Sequence, residues 1–124
     1  MSEVNTKLGY EECWIPEELD AYAGMGPGPA QLAHGVVRGQ RQADYGHPLD
    51  NHQRIADFWT VRLKDKLKPG ETIEPHEAAA LMRLVKEARL MNTPGHKDTL
   101  VDICGYADVE DLIHEESARR AQGS

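Results

Sequence analysis

Asp98-Thr99-Leu100-Val101-Asp102-Ile103-Cys104-Gly105-Tyr106 sets two aspartates one helical turn apart in an otherwise apolar run. Residues at i and i+4 share a helix face. Two like charges there cost about a few tenths of a kcal/mol, and more if the face is buried. A helix that keeps such a pair needs a cation nearby. Just upstream, Leu84-Val85-Lys86-Glu87-Ala88-Arg89-Leu90 also carries charge inside an apolar helical pattern. Thr93-Pro94-Gly95 separates the two runs and stops the first. Two helices with inward charge, joined by a short turn, point to a site.

Working outward, the first of these helices is expected from Glu74-Pro75, with Pro at its first position, to about Met91. Its stripe would be Ala78, Leu81, Leu84, Val85 and Ala88. The second is expected from Asp98 to about Ser117. It is apolar on more than one side and so should be central or contact a second subunit. Before them, Pro29 opens a short helix to about Arg38. A further helix is expected from Asp50, with Gln53 as capping-box partner, through Ile55, Phe58, Trp59 and Leu63 to Lys68-Pro69-Gly70. Between them, residues 39 to 48 have turn chemistry. No segment alternates with period two. The expected fold is an all-α bundle of four to five helices. Residues 1–28 read as an N-terminal extension, closed by the Gly- and Pro-rich Gly24 to Pro29. Residues 29–118 read as the domain, and 119–124 as a flexible tail.

The 124 residues suit one domain, and the net charge of -7 argues against binding a nucleic-acid backbone directly. Aromatics are only 6%, so the core must be mainly aliphatic. Cys13 and Cys104 have no metal-ligand spacing and read as reduced thiols. No apolar run approaches the roughly 18 residues that a membrane span needs. The polar N-terminus is unlike a signal peptide. A cytoplasmic protein is expected.

Three groups of residues can carry chemistry. Asp98 and Asp102 could hold a hard divalent cation, with Glu87 or Glu77 joining them. Asp98 has a plainer reading as the N-cap of its helix, and Asp102 is harder to dismiss. Tyr106 would lie on the same face. Arg83, Lys86 and Arg89 form a basic ridge that could neutralise the aspartates or hold phosphates. The third group is the stretch Arg38 to Pro48, with Arg41, Asp44, Tyr45, Gly46 and His47, followed by Asn51 and His52. Gly46 permits a sharp turn, and the histidines could bind phosphate or move a proton. There is no P-loop, nucleophile elbow, Cys-x-x-Cys or HExxH.

Over roughly residues 30 to 115 the chain resembles the MazG-like all-α nucleoside triphosphate pyrophosphatases, and in particular phage domains associated with nucleotide modification. The likeness rests on Arg41-Gln42-Ala43-Asp44-Tyr45-Gly46-His47-Pro48, on Leu84 to Leu90, and on Lys97 to Ala107. The resemblance implies a helical bundle that forms a homodimer or homotetramer. It implies hydrolysis of a (d)NTP, with a purine such as dGTP plausible, to monophosphate and pyrophosphate with Mg²⁺ or Mn²⁺ in the cytoplasm of an infected host. Metal would fall to Asp98, Asp102 and Glu87, and catalysis to Glu87, Asp102 and Lys86. Substrate would fall to Arg41, Asp44, Tyr45, His47, Asn51, Lys86, Arg89 and Tyr106. The chain departs from the pattern: where the superfamily carries Glu-x-x-Glu, it has Arg83 and Lys86, and Thr99 stands at another glutamate position. The alternative is a non-catalytic nucleotide-binding protein, such as a sponge for a signalling nucleotide.

Overall fold

The computed structural model describes residues 26–123. The expected extension falls almost wholly outside them, as do Cys13 and Trp14. Among the described residues the structure is entirely helical, with five helices: α1 (Pro29–Arg38), α2 (Gln40–Tyr45), α3 (Pro48–Arg62), α4 (Pro75–Asn92) and α5 (Lys97–Gln122). The all-α expectation therefore holds. Helix α5 is central, packing on α1, α3 and α4, and α3 also packs on α4.

Prolines set three of the starts, because the first helical position needs no N–H donor. At α4 the Glu77 carboxylate accepts from the Glu74 N–H at 2.9 Å. The structure moves two of the expected starts. Helix α3 begins at Pro48 rather than Asp50, because the His47 Nδ1 accepts the Leu49 N–H at 3.0 Å and caps the end. Gln53 is not its capping partner and donates instead to Asp57. Helix α5 begins at Lys97, with His96 as N-cap accepting from the Thr99 N–H, so Asp98 is a first-turn residue and not the cap. The segment expected to be turn contains α2. Gly39 permits the break between α1 and α2: a Cβ there would come within 2.7 Å of the Gly35 carbonyl oxygen. Gly46, at φ +79°, ends α2 in the left-handed region.

The core is small and rich in alanine. Ala33 and Val37 of α1, Ala56 of α3, Ala78 and Ala79 of α4, and Val109 and Ile113 of α5 are buried. Alanines at Ala56, Ala78 and Ala79 let the helix backbones approach closely. Of the apolar stripe expected on α4, Ala78 alone is buried. Leu81, Leu84 and Val85 are exposed, and so is Phe58 of the stripe expected on α3. The face of α4 toward α5 instead carries Arg83, which pairs with Glu110 at 2.7 Å, and Lys86, which pairs with Asp102 at 3.0 Å. Arg38 pairs with Asp108 and ties α1 to the same helix. The C-terminal stretch expected to fray continues α5 to Gln122, where Arg120 holds Asp50 at 2.7 Å and Glu116 at 2.8 Å.

Candidate functional site

A cleft of ≈ 310 Å³ opens between α1, α2, α3 and α5. Each wall follows from local sequence. Val37 and Ala33 come from the buried face of α1. Arg41 and Tyr45 stand one turn apart on α2. Asn51, His52 and Ile55 share the inner face of α3. Asp102, Gly105, Tyr106 and Val109 follow at i, i+3, i+4 and i+7 on α5. Met82 of α4 also borders it. The walls are mostly apolar, with polar groups concentrated near α2 and the start of α3.

Arg54 fixes one side. Its Nη2 donates to the Tyr45 carbonyl oxygen at 3.1 Å and to the Asn51 Oδ1 at 3.4 Å, so it locks the end of α2 onto α3. Arg41 is exposed and makes no ion pair among the described residues. At the floor, Gly105 leaves room: a Cβ there would meet Val37 Cγ2 at 3.5 Å and Ala33 Cβ at 3.9 Å, ordinary contacts without a clash.

Asp102 is tethered on one side. Its Oδ2 lies 3.0 Å from the Lys86 Nζ, and the Lys86 side chain is only 13% exposed against 36% for Asp102. The cation that the aspartate helix requires is thus a lysine of the facing helix. The Oδ1 of Asp102 carries no hydrogen bond among the described residues.

His52 is the most enclosed polar residue of the cleft, at 5% exposure. Its Nδ1 lies 3.0 Å from the Pro48 carbonyl oxygen, and its ring meets Tyr106 edge-on, centroids 6.2 Å apart. Its Nε2 is buried and has no partner among the described residues. Burial lowers its pKa from the ordinary 6.5, outweighing the opposing bond to Pro48. The imidazole is neutral at pH 7.

The structure brings together much of the expected site and separates the rest. Arg41, Tyr45, Asn51, Asp102 and Tyr106 line the cleft, and Lys86 reaches it through Asp102. His47 serves instead as the α3 cap. Asp44 is exposed on α2, outside the lining. Glu87, Arg89 and Asp98 are exposed and outside the lining as well. Glu87 follows Lys86 by one residue, which turns it about 100° around the helix and away from α5. The expected metal set of Asp98, Asp102 and Glu87 is therefore not assembled. Among the described residues no three His, Cys, Asp or Glu side chains come together to hold a metal ion. Sequence reasoning did not single out Arg54 or Gly105. His52, expected to bind phosphate or move a proton, borders the cleft with its Nδ1 against the Pro48 carbonyl oxygen. The signal for Arg54 was its spacing of three from Asn51 on one helix face.

The described residues form an all-α fold whose central helix supplies an aspartate and a tyrosine to a cleft. The chain belongs to the family described as a domain of unknown function, DUF6378, whose model matches residues 31–114. It is 43% identical over 77 residues to the Gene 55 protein of Mycobacterium phage L5, covering 62% of this chain and 46% of that protein. It is 34% identical over 84 residues to the Gene 55 protein of Mycobacterium phage D29, covering 68% and 52%. The chain thus spans about half the length of these relatives. No solved structure matches it. No helix among the described residues is long and apolar enough to cross a membrane.

Proposed function

We propose that the cleft binds a nucleoside triphosphate, with the base and sugar inside and the phosphates leaving past Arg41. The observation that carries this is the convergence of Arg41, Tyr45, Asn51, Asp102 and Tyr106, on three separate helices, around one largely apolar cavity. Ligand pockets run from about 300 to 1,000 Å³. At ≈ 310 Å³ the cleft takes a base and sugar but not a whole triphosphate. An exposed guanidinium at the rim suits a phosphate, because its planar donors match phosphate oxygens. The MazG-like resemblance supports the same ligand class. A purine such as dGTP and a place in the cytoplasm of an infected host belong to this reading by analogy alone.

A second reading is the metal-dependent pyrophosphohydrolase that the resemblance implies. One observation favours it: Asp102 lines the cleft, and Lys86 holds only its Oδ2. Binding without turnover is the reading adopted here, because the cleft gathers one carboxylate, Asp102, and Lys86 already holds it. Self-association belongs to the proposal as well. Phe58 at 76% and Val61 at 72% exposure share a face of α3, and Leu81, Leu84 and Val85 share one of α4. A second copy of the chain covering these faces, in a homodimer or homotetramer, would remove that apolar surface from water.

Titration calorimetry with each of the four dNTPs, in chelator and then with Mn²⁺, tests the reading. Chromatography of the same samples reports products. Binding in chelator without monophosphate supports a binding protein, and monophosphate with Mn²⁺ supports the hydrolase. Binding of no nucleotide in either condition overturns both. Arg41→Ala is expected to weaken binding about tenfold without changing stability, since the residue is exposed.

A further inference from the structure

His76 and His114 stand apart from the cleft, which neither of them lines. His76 is in the first turn of α4, and His114 follows the buried Ile113 on α5. The two rings meet across the helices, with centroids 5.0 Å apart and planes tilted by 38°. The cleft gives this pair no task.

Both rings rise from anchored backbone. Ala79, one turn from His76, and Ile113 belong to the same buried cluster. His76 is half-buried and His114 exposed, so solvent reaches the pair. Glu110 stands one turn before His114. Its Oε1 accepts from Arg83 at 2.7 Å, and its Oε2 lies 3.9 Å from the His114 Nε2. A carboxylate is thus held beside the rings without being one of the pair.

The spacing of the rings is informative. An imidazole nitrogen binds Zn²⁺ at about 2.0–2.1 Å, which places the ring centre about 3.2 Å from the ion. Two rings on one ion, at ligand angles of about 90–110°, then have centres about 4.5–5.2 Å apart. The observed 5.0 Å lies inside that range. Each ring plane must contain the ion, a condition that leaves the angle between the planes free.

The geometry points to a second site: His76 and His114 together bind one imidazole-seeking divalent ion, Zn²⁺, Ni²⁺ or Cu²⁺, with water in the remaining positions. The site is an open one, because no third His, Cys, Asp or Glu joins the pair among the described residues. Glu110 acts from outside the ligand set, where its charge favours a cation beside His114. Mg²⁺ and Mn²⁺ prefer oxygen ligands and pass such a pair by. The site is therefore independent of nucleotide binding in the cleft. A bound ion clasps the start of α4 to α5. The unfolded chain does not hold the two rings together, so binding stabilises the folded chain.

Competition with a metallochromic chelator for Ni²⁺ and for Zn²⁺, on the full chain without a histidine tag, measures the site. One equivalent is expected to bind. His76→Gln and His114→Gln each remove one of two chelating ligands and are each expected to weaken binding at least about tenfold. His34→Gln, outside both sites, should leave it within about twofold. The melting temperature is expected to rise with Zn²⁺ in the wild type and in neither pair variant, and to ignore Mg²⁺. The histidine ring proton–carbon spectrum of the wild type gives a readout that needs no variant. One equivalent of Zn²⁺ should move two of the six histidines, His76 and His114. No binding, unchanged affinity in both pair variants, or equal movement of all six histidines overturns the inference. One ion per two chains overturns it in favour of a metal-bridged pair of copies.

Discussion

The seam between α4 and α5 and the adjoining cleft treat polar groups in opposite ways. In the seam the charges are matched: Arg83 meets Glu110, and Lys86 meets Asp102. In the cleft the His52 Nε2 has no partner, and Arg41 forms no ion pair, among the described residues. One helix serves both regions. Asp102 belongs to each, holding Lys86 with one oxygen and bordering the cavity with its side chain. Charge matched within the protein ties α4 to α5, whereas the cleft keeps polar groups without protein partners among the described residues. An aspartate in an apolar helix invites a metal reading. Its partner proves to be a lysine that the chain itself supplies.

The comparison can be broken most forcefully at Asp102. Asp102→Ala leaves Lys86, the more buried partner, without its counter-charge. A fully buried pair broken this way costs about 3–5 kcal/mol, but Asp102 keeps contact with water, so about 1–2 kcal/mol is expected. Arg83→Ala, in a pair about 30% exposed on both sides, should cost only about 0.5 kcal/mol. Urea unfolding of the two variants checks the ranking. Equal losses would mean that burial does not distinguish the two pairs.

Gly105→Ala probes the cleft side with the opposite sign. Alanine in a helix interior is favoured over glycine by about 0.5–1 kcal/mol. The added methyl would make ordinary contacts with Val37 and Ala33. Stability should rise while nucleotide affinity falls, because the methyl takes up part of the cavity. If affinity were unchanged, the floor of the cleft would not be in contact with the ligand.

The smallest expected effect is a pH dependence from His52. Burial lowers its folded pKa below 6.5. The unfolded chain therefore takes up a proton near pH 6.5 that the folded chain refuses. Stability from this group is complete above about pH 6.5 and declines as pH falls through 6.5 toward the depressed folded value. Urea unfolding at several pH values should show a shallower acid decline in His52→Phe than in the wild type. Parallel curves would show that the ring is not held neutral by the fold.

Much of this was legible in the sequence because it depends on local chemistry. Pro29 and Pro75 mark helix starts, Thr93-Pro94-Gly95 marks a stop, and apolar surface on more than one side of Asp98 to about Ser117 marks the central helix. Asp102 and Tyr106 were readable as polar side chains on one face of an apolar helix, and Arg41 and Tyr45 as members of a dense polar stretch; Asn51 came with the resemblance. Other features depend on which helix faces which. Lys86 meets Asp102 only because α4 and α5 run antiparallel in one register, and no single-helix pattern specifies that register. The same register leaves Leu81, Leu84 and Val85 outside and makes a polar seam where an apolar stripe was expected. Capping by His47 and His96 was hidden because imidazole is an unusual cap, and the expected Ser, Thr, Asp or Asn was sought instead. The setting of His52 depended on the position of one carbonyl, Pro48 O.

The central claim is that the cleft binds a nucleotide and that the partner of Asp102 is Lys86. Its most direct measurement is calorimetric titration of the full chain with dGTP and dATP in excess chelator, repeated on Asp102→Asn. Saturable binding in chelator is expected for the wild type, weakened in the variant because its amide no longer anchors Lys86 at the cleft wall. No binding in chelator, with binding and release of pyrophosphate restored by Mn²⁺, would contradict the account.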